Sequence, residues 1–325
     1  MDHRDLIDGL LELAVVPSFS SIGIRVRRPL WSWQDPPPGT LTGRTAVITG
    51  ATGGLGRATC GALAALGARV VLVGRDEAKL AKLAGELFVA HGEDRFPTVA
   101  ADLSVLAEVR GAAETIRASE PRVDVLVDNA GSIFAERTTT MDGLEASMAL
   151  MAIGPFALLA GLLPLLRASD DARVIAVTSG GMYTQPIDVE DLDGEAVAYN
   201  GPRFYARAKR AQVTLIREWA RRTNDTTIAF NAMHPGWART PGLTDSLPGF
   251  DRLMGPILRT PEEGIDTITW LATAARSEIG NGRLYLDRRS RPFDRAPMTR
   301  LDAAERRRLW DVVVSRTKIT DPSPG

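Results

Sequence analysis

The stretch T-A-V-I-T-G-A-T-G-G-L-G, Thr45 to Gly56, reads as an apolar strand that turns on glycine. The run A-T-C-G-A-L-A-A-L, Ala58 to Leu66, then continues as a helix. A nucleotide pyrophosphate needs backbone N–H groups at a helix N-terminus, and side chains there would keep it out. A glycine turn alone is a weak signal. A strand before it, a helix after it and a second strand, R-V-V-L-V (Arg69–Val73), make it a nucleotide-binding βαβ unit. Thr49, Gly50, Thr52, Gly53, Gly54, Leu55 and Gly56 are the candidate phosphate-side residues. Their spacing fits both G-x-x-x-G-x-G and G-x-x-G-x-x-G, so the turn does not choose between them.

Outward from this unit the alternation repeats. T-V-A-A, V-D-V-L-V, R-V-I-A-V, T-I-A-F and R-L-Y-L are further short apolar runs, most of them separated by Ala-, Leu-, Glu- and Arg-rich helical stretches. Strands apolar on both faces belong to a parallel sheet covered by helices, and right-handed crossovers make it doubly wound. The expected fold is a three-layer αβα Rossmann domain over residues 41–290. An N-terminal extension and Pro-rich linker (1–40, closing on Q-D-P-P-P-G-T) precede it, and a C-terminal helix (Leu301–Val314) and tail (291–325) follow. The stretches 184–203 and 236–260 lack periodicity and read as functional lids.

With 44% hydrophobic and 24% charged residues and a net charge of −1, the chain gives no reason to expect nucleic acid as a partner. A single cysteine, Cys60, excludes an intrachain disulfide, and three scattered histidines do not suggest a metal centre. No apolar run of bilayer length and no signal peptide is expected, so the expected location is cytoplasmic. Near the N-terminus, Leu6, Ile7, Leu10, Leu11 and Ala14 share a helical face opposite Asp2, Asp5, Asp8 and Glu12. That helix either docks on the protein's own body or makes peripheral membrane contact, since Arg25, Arg27, Arg28, Trp31 and Trp33 follow closely.

The second strand ends V-L-V-G-R-D. Gly74 stands where an NAD-selective carboxylate would be, and Arg75 can pair with a 2′-phosphate. NADP(H) is therefore expected, with Asp76 as ribose acceptor for NAD(H) the alternative. Downstream, Tyr205 and Lys209 lie one helical turn apart, after a strand that closes on Thr178-Ser179. Carbonyl reduction needs a proton donor, and a nearby ammonium lowers a tyrosine's pKa by favouring phenolate. Tyr205 is the candidate acid/base, Lys209 its tuner and Ser179 the group that orients the carbonyl, with Thr178 as rival to Ser179.

Across residues 42–285 these motifs resemble the short-chain dehydrogenase/reductases, and in wording a subgroup near the retinol dehydrogenases. Asn129-Ala130-Gly131 is similar to an element of the single-domain members. The resemblance implies that Lys209 also holds the nicotinamide ribose and that Asp102 and Leu103 face the adenine. It implies further that Asn129, Ala130 and Gly131 lie under the adenine ribose, and that Pro235, Gly236 and Thr240 hold the nicotinamide. Family habit implies a homo-oligomer through helices at 142–167 and 205–222. One position departs: registering A-L-M-A-I-G on Gly154 puts Met151 where the family commonly has an asparagine. The relay that the asparagine supports then either persists through the backbone carbonyl at 151, or the protein binds NADP without turnover.

His234, just before the Pro-Gly turn, reads as structural. Leu243, Leu247, Phe250, Leu253, Met254, Ile257 and Leu258 read either as a lid for a lipophilic carbonyl or alcohol or as core cover. The expected activity is NADP(H)-dependent carbonyl/alcohol oxidoreduction. The alternatives are a non-catalytic NADP-binding regulator and, from G-x-x-G-x-x-G, an epimerase or dehydratase.

Overall fold

Each of the seven apolar runs forms a strand. The computed structural model describes residues 2–92, 95–240 and 248–321. In it β1 (Thr45–Thr49), β2 (Arg69–Gly74), β3 (Thr98–Ala100), β4 (Val125–Asp128), β5 (Ala172–Val177), β6 (Ile228–Met233) and β7 (Leu284–Leu286) run parallel. An eighth, β8 (Arg289–Arg291), pairs antiparallel with β7 at the edge. Three polar residues carry no apolar alternation, so β8 is not visible in the sequence. The order is β3-β2-β1-β4-β5-β6-β7-β8. Winding reverses between β1 and β4, and at that switch point the carboxyl ends of the strands open a crevice.

The extension is three helices: α1 (His3–Leu13), α2 (Val15–Phe19) and α3 (Ser21–Leu30). α1 docks on the protein's body, but through its charged face. Asp8 is buried, and its carboxylate takes Arg27 at 2.7 Å and Arg291 at 2.8 and 2.9 Å. Burial alone would raise the Asp8 pKa, yet Arg291 and Arg27 hold it below the ordinary carboxylate value. Leu6, Ile7, Leu10 and Leu13 face outward, with Leu13 84% exposed. Charge pairing therefore overrides the usual rule that an amphipathic helix hides its apolar stripe.

Within the domain, α4 (Gly54–Ala65), α5 (Glu77–His91), α6 (Leu106–Ser119), α7 (Ala146–Met148), α8 (Gly154–Arg167) and α9 (Gly201–Arg222) cover the sheet. A π-helical turn, Ala149–Ile153, joins α7 to α8. The continuous helix Ala146–Arg167 is 22 residues long and, by length and composition, apolar enough to cross a membrane. This corrects the expectation that no such run exists. Most of it is buried in the core, between the sheet and α6, which explains its uniformly apolar composition. The C-terminal helix runs Ala303–Thr317, capped reciprocally by Asp302 and Glu305, and seats buried Trp310 against Phe156 and Trp219.

Candidate active site

The glycine turn folds as its chemistry requires. Gly50 and Gly54 have positive φ, +64° and +46°. A Cβ on Gly56 would stand 2.1 Å from the Gly50 carbonyl, so this glycine lets α4 pack closely on the turn. Asn129 Nδ2 donates to the Thr49 carbonyl at 3.0 Å, and the Asn129 and Ala130 N–H groups both donate to Thr49 Oγ1. Buried Thr49 thus braces the turn from beneath. Gly50, Thr52, Gly53, Gly54, Leu55, Gly74, Arg75, Asp102, Leu103, Asn129, Ala130, Gly131, Tyr205, Lys209, Pro235 and Thr240 line one cleft of about 400 Å³. Thr49, Gly56, Ser179 and Gly236 lie outside its lining. Ala101, Ser132, Leu150, Val177 and Thr178 line it as well, each next to a motif residue that the sequence pointed to.

Asp76 caps α5, accepting from the Lys79 N–H at 3.0 Å, and Lys79 Nζ lies 3.3 Å from its other oxygen. Arg75 is exposed on the cleft and makes no hydrogen bond or ion pair among the described residues. Asp102 Oδ1 accepts from the Ser104 N–H and hydroxyl, so it organises the turn after β3 while it lines the cleft. At Gly154 a Cβ would meet the Leu103 carbonyl at 1.9 Å, which explains the glycine on which Met151 is registered. Met151 is fully buried. Its sulfur and Lys209 Nζ lie 3.2 and 3.4 Å from where a Gly131 Cβ would stand.

Tyr205 is half-buried. Burial raises its pKa above the ordinary phenol value, and a hydrogen bond with Ser179 opposes the rise. That direction corrects the expected lowering by Lys209. The Lys209 Nζ donates instead to the Val177 carbonyl at 2.8 Å and to Gln212 Oε1 at 3.2 Å. Burial brings the Lys209 pKa down to about 8, with Asp128 opposing. The Thr178 hydroxyl donates to the Lys209 carbonyl at 3.1 Å. Ser179 is the one of the pair beside Tyr205, and its Oγ also accepts from the Gly181 N–H at 3.2 Å.

The Pro-Gly turn is held from outside the domain. The Phe19 carbonyl accepts from the Trp237 N–H at 2.7 Å, and the Phe19 ring meets His234 edge-on at 4.5 Å. His234 is fully buried; burial and then Arg259, Arg295, Arg291 and Arg27 keep its pKa well below normal. Its Nδ1 accepts from the Gly236 N–H at 3.3 Å, a structural role. The stretch 184–200 is tied down, Arg137 donating to the Asp193 and Gly194 carbonyls and Arg207 to the Asp191 carbonyl, and it does not line the cleft. Of the second expected lid, Leu243 and Leu247 lie outside the described residues. Phe250 packs edge-on against Trp237 at 5.1 Å, and Leu253 is 79% exposed.

A Rossmann sheet, a glycine cradle at its switch point and a Ser-Tyr-Lys group beside it define a nicotinamide-dependent oxidoreductase. The short chain dehydrogenase profile matches residues 44–248, and the chain belongs to that family. It is 37% identical over 250 residues to dehydrogenase/reductase SDR family member 12 of Homo sapiens, spanning 77% of this chain and 78% of that protein. Retinol dehydrogenase 14 of Mus musculus is 35% identical, spanning 85% and 86%. A crystal structure of a protein from Mycobacterium paratuberculosis superposes with a TM-score of 0.70 at 28% identity, covering 88% of this chain and 97% of that one.

Proposed function

We propose that the protein is an NADP(H)-dependent oxidoreductase that interconverts a lipophilic carbonyl and its alcohol, with Tyr205 as acid/base. The observation that carries this is that Tyr205 and Lys209 line the same cleft as Gly50, Thr52, Gly53, Gly54, Leu55, Arg75 and Asn129, with Ser179 beside Tyr205. The residues fit the cofactor: the cradle is free of Cβ atoms at Gly50, Gly53 and Gly54, and Arg75 presents a guanidinium, unpaired among the described residues, where a 2′-phosphate would stand. Asp76, engaged in capping α5, is a poor ribose acceptor, which supports NADP(H) over NAD(H).

When bound, the nicotinamide supplies or accepts the hydride. Ser179 orients the substrate oxygen towards Tyr205, and the Tyr205 hydroxyl gives that oxygen its proton or takes it back. The Lys209 ammonium favours the phenolate whenever it points at Tyr205. Thr240 closes over Gly54, where a Cβ would stand 3.0 Å from its methyl group.

The name of retinol dehydrogenase 14 supports an apolar alcohol as one substrate class. Phe250, packed edge-on against Trp237 just after the Pro-Gly turn, agrees with it. The outward apolar face of α1, with exposed Arg25 and Arg28 close in sequence, supports peripheral contact with an anionic lipid surface. The reading of a non-catalytic NADP-binding protein rests on Met151.

One experiment separates the two. NADPH and NADH are titrated by fluorescence, and a panel of apolar aldehydes and ketones is screened by loss of nicotinamide absorbance. NADPH-preferring binding with turnover supports the enzyme. Tight binding with no turnover on any substrate supports the regulator, and NADH preference removes the role given to Arg75.

A further inference from the structure

Tyr205, Lys209 and Gln212 occupy positions i, i+4 and i+7 of α9, so all three face one direction. Gln212 is buried, with its amide between two charges. Its Oε1 accepts from Lys209 Nζ at 3.2 Å, and its Nε2 donates to Asp128 Oδ2 at 2.5 Å. An ammonium can only donate and a carboxylate can only accept, so a glutamine matches both ends in one orientation. Asp128 ends β4, buried and directly before the Asn129 turn, and its other oxygen lies 3.5 Å from Thr49 Oγ1. The elements around this chain are β1 with Thr49, β4 with Asp128, β5 with Val177, the π turn with Met151 and α9. The titratable group among them that acts on Lys209 is Asp128, and Tyr205 lines the same cleft.

The π turn shows why such a device is useful here. Pro155 has no N–H to give the Met151 carbonyl its ordinary i+4 donor, which distorts the helix at this point. An asparagine at 151 would offer an amide beside Lys209; methionine offers a weakly accepting sulfur. A side-chain amide reaches Lys209 instead from Gln212, three residues along the same helix.

We propose that Asp128 and Gln212 are positioning residues for Lys209, with the carboxylate anchoring the Gln212 amide and the amide aiming the ammonium in place of a side-chain amide at 151. The pair acts by holding charge and direction. It is not a proton path, because a primary amide neither gives nor takes a proton readily at neutral pH. Burial lifts the Asp128 pKa to about 6, so its carboxylate is ionised, and the anchor complete, above that pH. This inference rests on the oxidoreductase reading above, because it assigns Lys209 a cofactor to hold.

The test uses the full chain with Asp128→Asn, Gln212→Met and Met151→Asn. Lysine Cε resonances are followed against pH without cofactor, a tractable experiment because the lysines are Lys79, Lys82, Lys209 and Lys318. In wild type the Lys209 midpoint is expected near 8, below the ordinary lysine value because of burial. Loss of the opposing charge in Asp128→Asn moves that midpoint down by about one pH unit or more. Gln212→Met, which keeps size and removes the amide, weakens NADPH binding and lowers kcat by roughly ten-fold or more. Met151→Asn in the Gln212→Met background restores part of both, a rescue that a purely structural glutamine would not show.

An unmoved Lys209 midpoint in Asp128→Asn, or unchanged NADPH affinity in Gln212→Met, overturns the proposal. Should Asp128→Asn fail to fold, Gln212→Met and its rescue decide alone. Absence of turnover in wild type sinks the enzymatic reading, while the midpoint and the NADPH affinity still judge this one.

Discussion

The Arg27 guanidinium, fully buried, donates to the Asp287 carboxylate at 2.7 Å across 260 residues of chain. It also reaches Asp8, Glu12 and the Ser18 carbonyl, while Arg259 takes both Asp287 oxygens. The extension is thus welded to the strand end after β7 and, through Phe19, to the Pro-Gly turn. Removing one partner of such a cluster strands the others in low dielectric. Arg27→Ala is expected to destabilise the fold by about 3–5 kcal/mol, measured by urea unfolding. A loss below about 1 kcal/mol would mean that the cluster is solvated.

Leu10 and Leu13 are 59% and 84% exposed, on the opposite side of α1. The pair Leu10→Ser and Leu13→Ser is expected to change stability by no more than about 0.5 kcal/mol each. The same variant should lose any flotation with anionic vesicles that the wild type shows. A large loss of stability would place this face in an interior contact.

Arg75→Asp replaces an exposed cation on the cleft with a carboxylate. NADPH affinity should fall by roughly ten-fold to a hundred-fold, while NADH affinity holds or improves, as read by fluorescence titration. Equal losses for the two cofactors would show that Arg75 does not read the 2′-phosphate.

Tyr205→Phe removes the proposed proton donor and keeps the ring. Turnover should fall about 10²- to 10⁴-fold with NADPH binding preserved. Retained turnover would move the acid/base role elsewhere.

Asp128 also has a signature in stability. Its folded pKa, about 6, exceeds its ordinary 3.8 because burial disfavours the carboxylate, so the folded state holds the proton longer than the unfolded state. Between about pH 4 and pH 6 folding stability should therefore fall as pH rises, and Asp128→Asn should lack that slope. Above about pH 6 the contribution of this group should be flat. Chemical unfolding of both proteins at pH 4.5, 5.5 and 6.5 checks the sign.

Much of the fold was legible because it rests on local pattern. The runs at 46–48, 70–73 and 174–177 are apolar throughout, which a two-sided burial explains, and Gly50, Gly54 and Gly56 mark a turn that other residues would block. The same holds for Tyr205 and Lys209, one turn apart on α9. The polar edge strand Arg289–Arg291 has no such pattern, since its place comes from pairing with β7 and from the Asp8 carboxylate. The apolar length of Ala146–Arg167 is not legible as one span because Gly154, Pro155 and Pro164 read as breakers, although the helix runs through them.

The strand runs, the glycine cradle and the Tyr205–Lys209 spacing are patterns that a linear sequence carries. Which face of α1 turns inward, and where the Lys209 ammonium points, were decided by partners remote in sequence: Arg291 lies 283 residues from Asp8, and Gln212 lies 84 from Asp128. Burying a charge is tolerable only with its counter-charge in place, and that pairing exists only once the chain has folded.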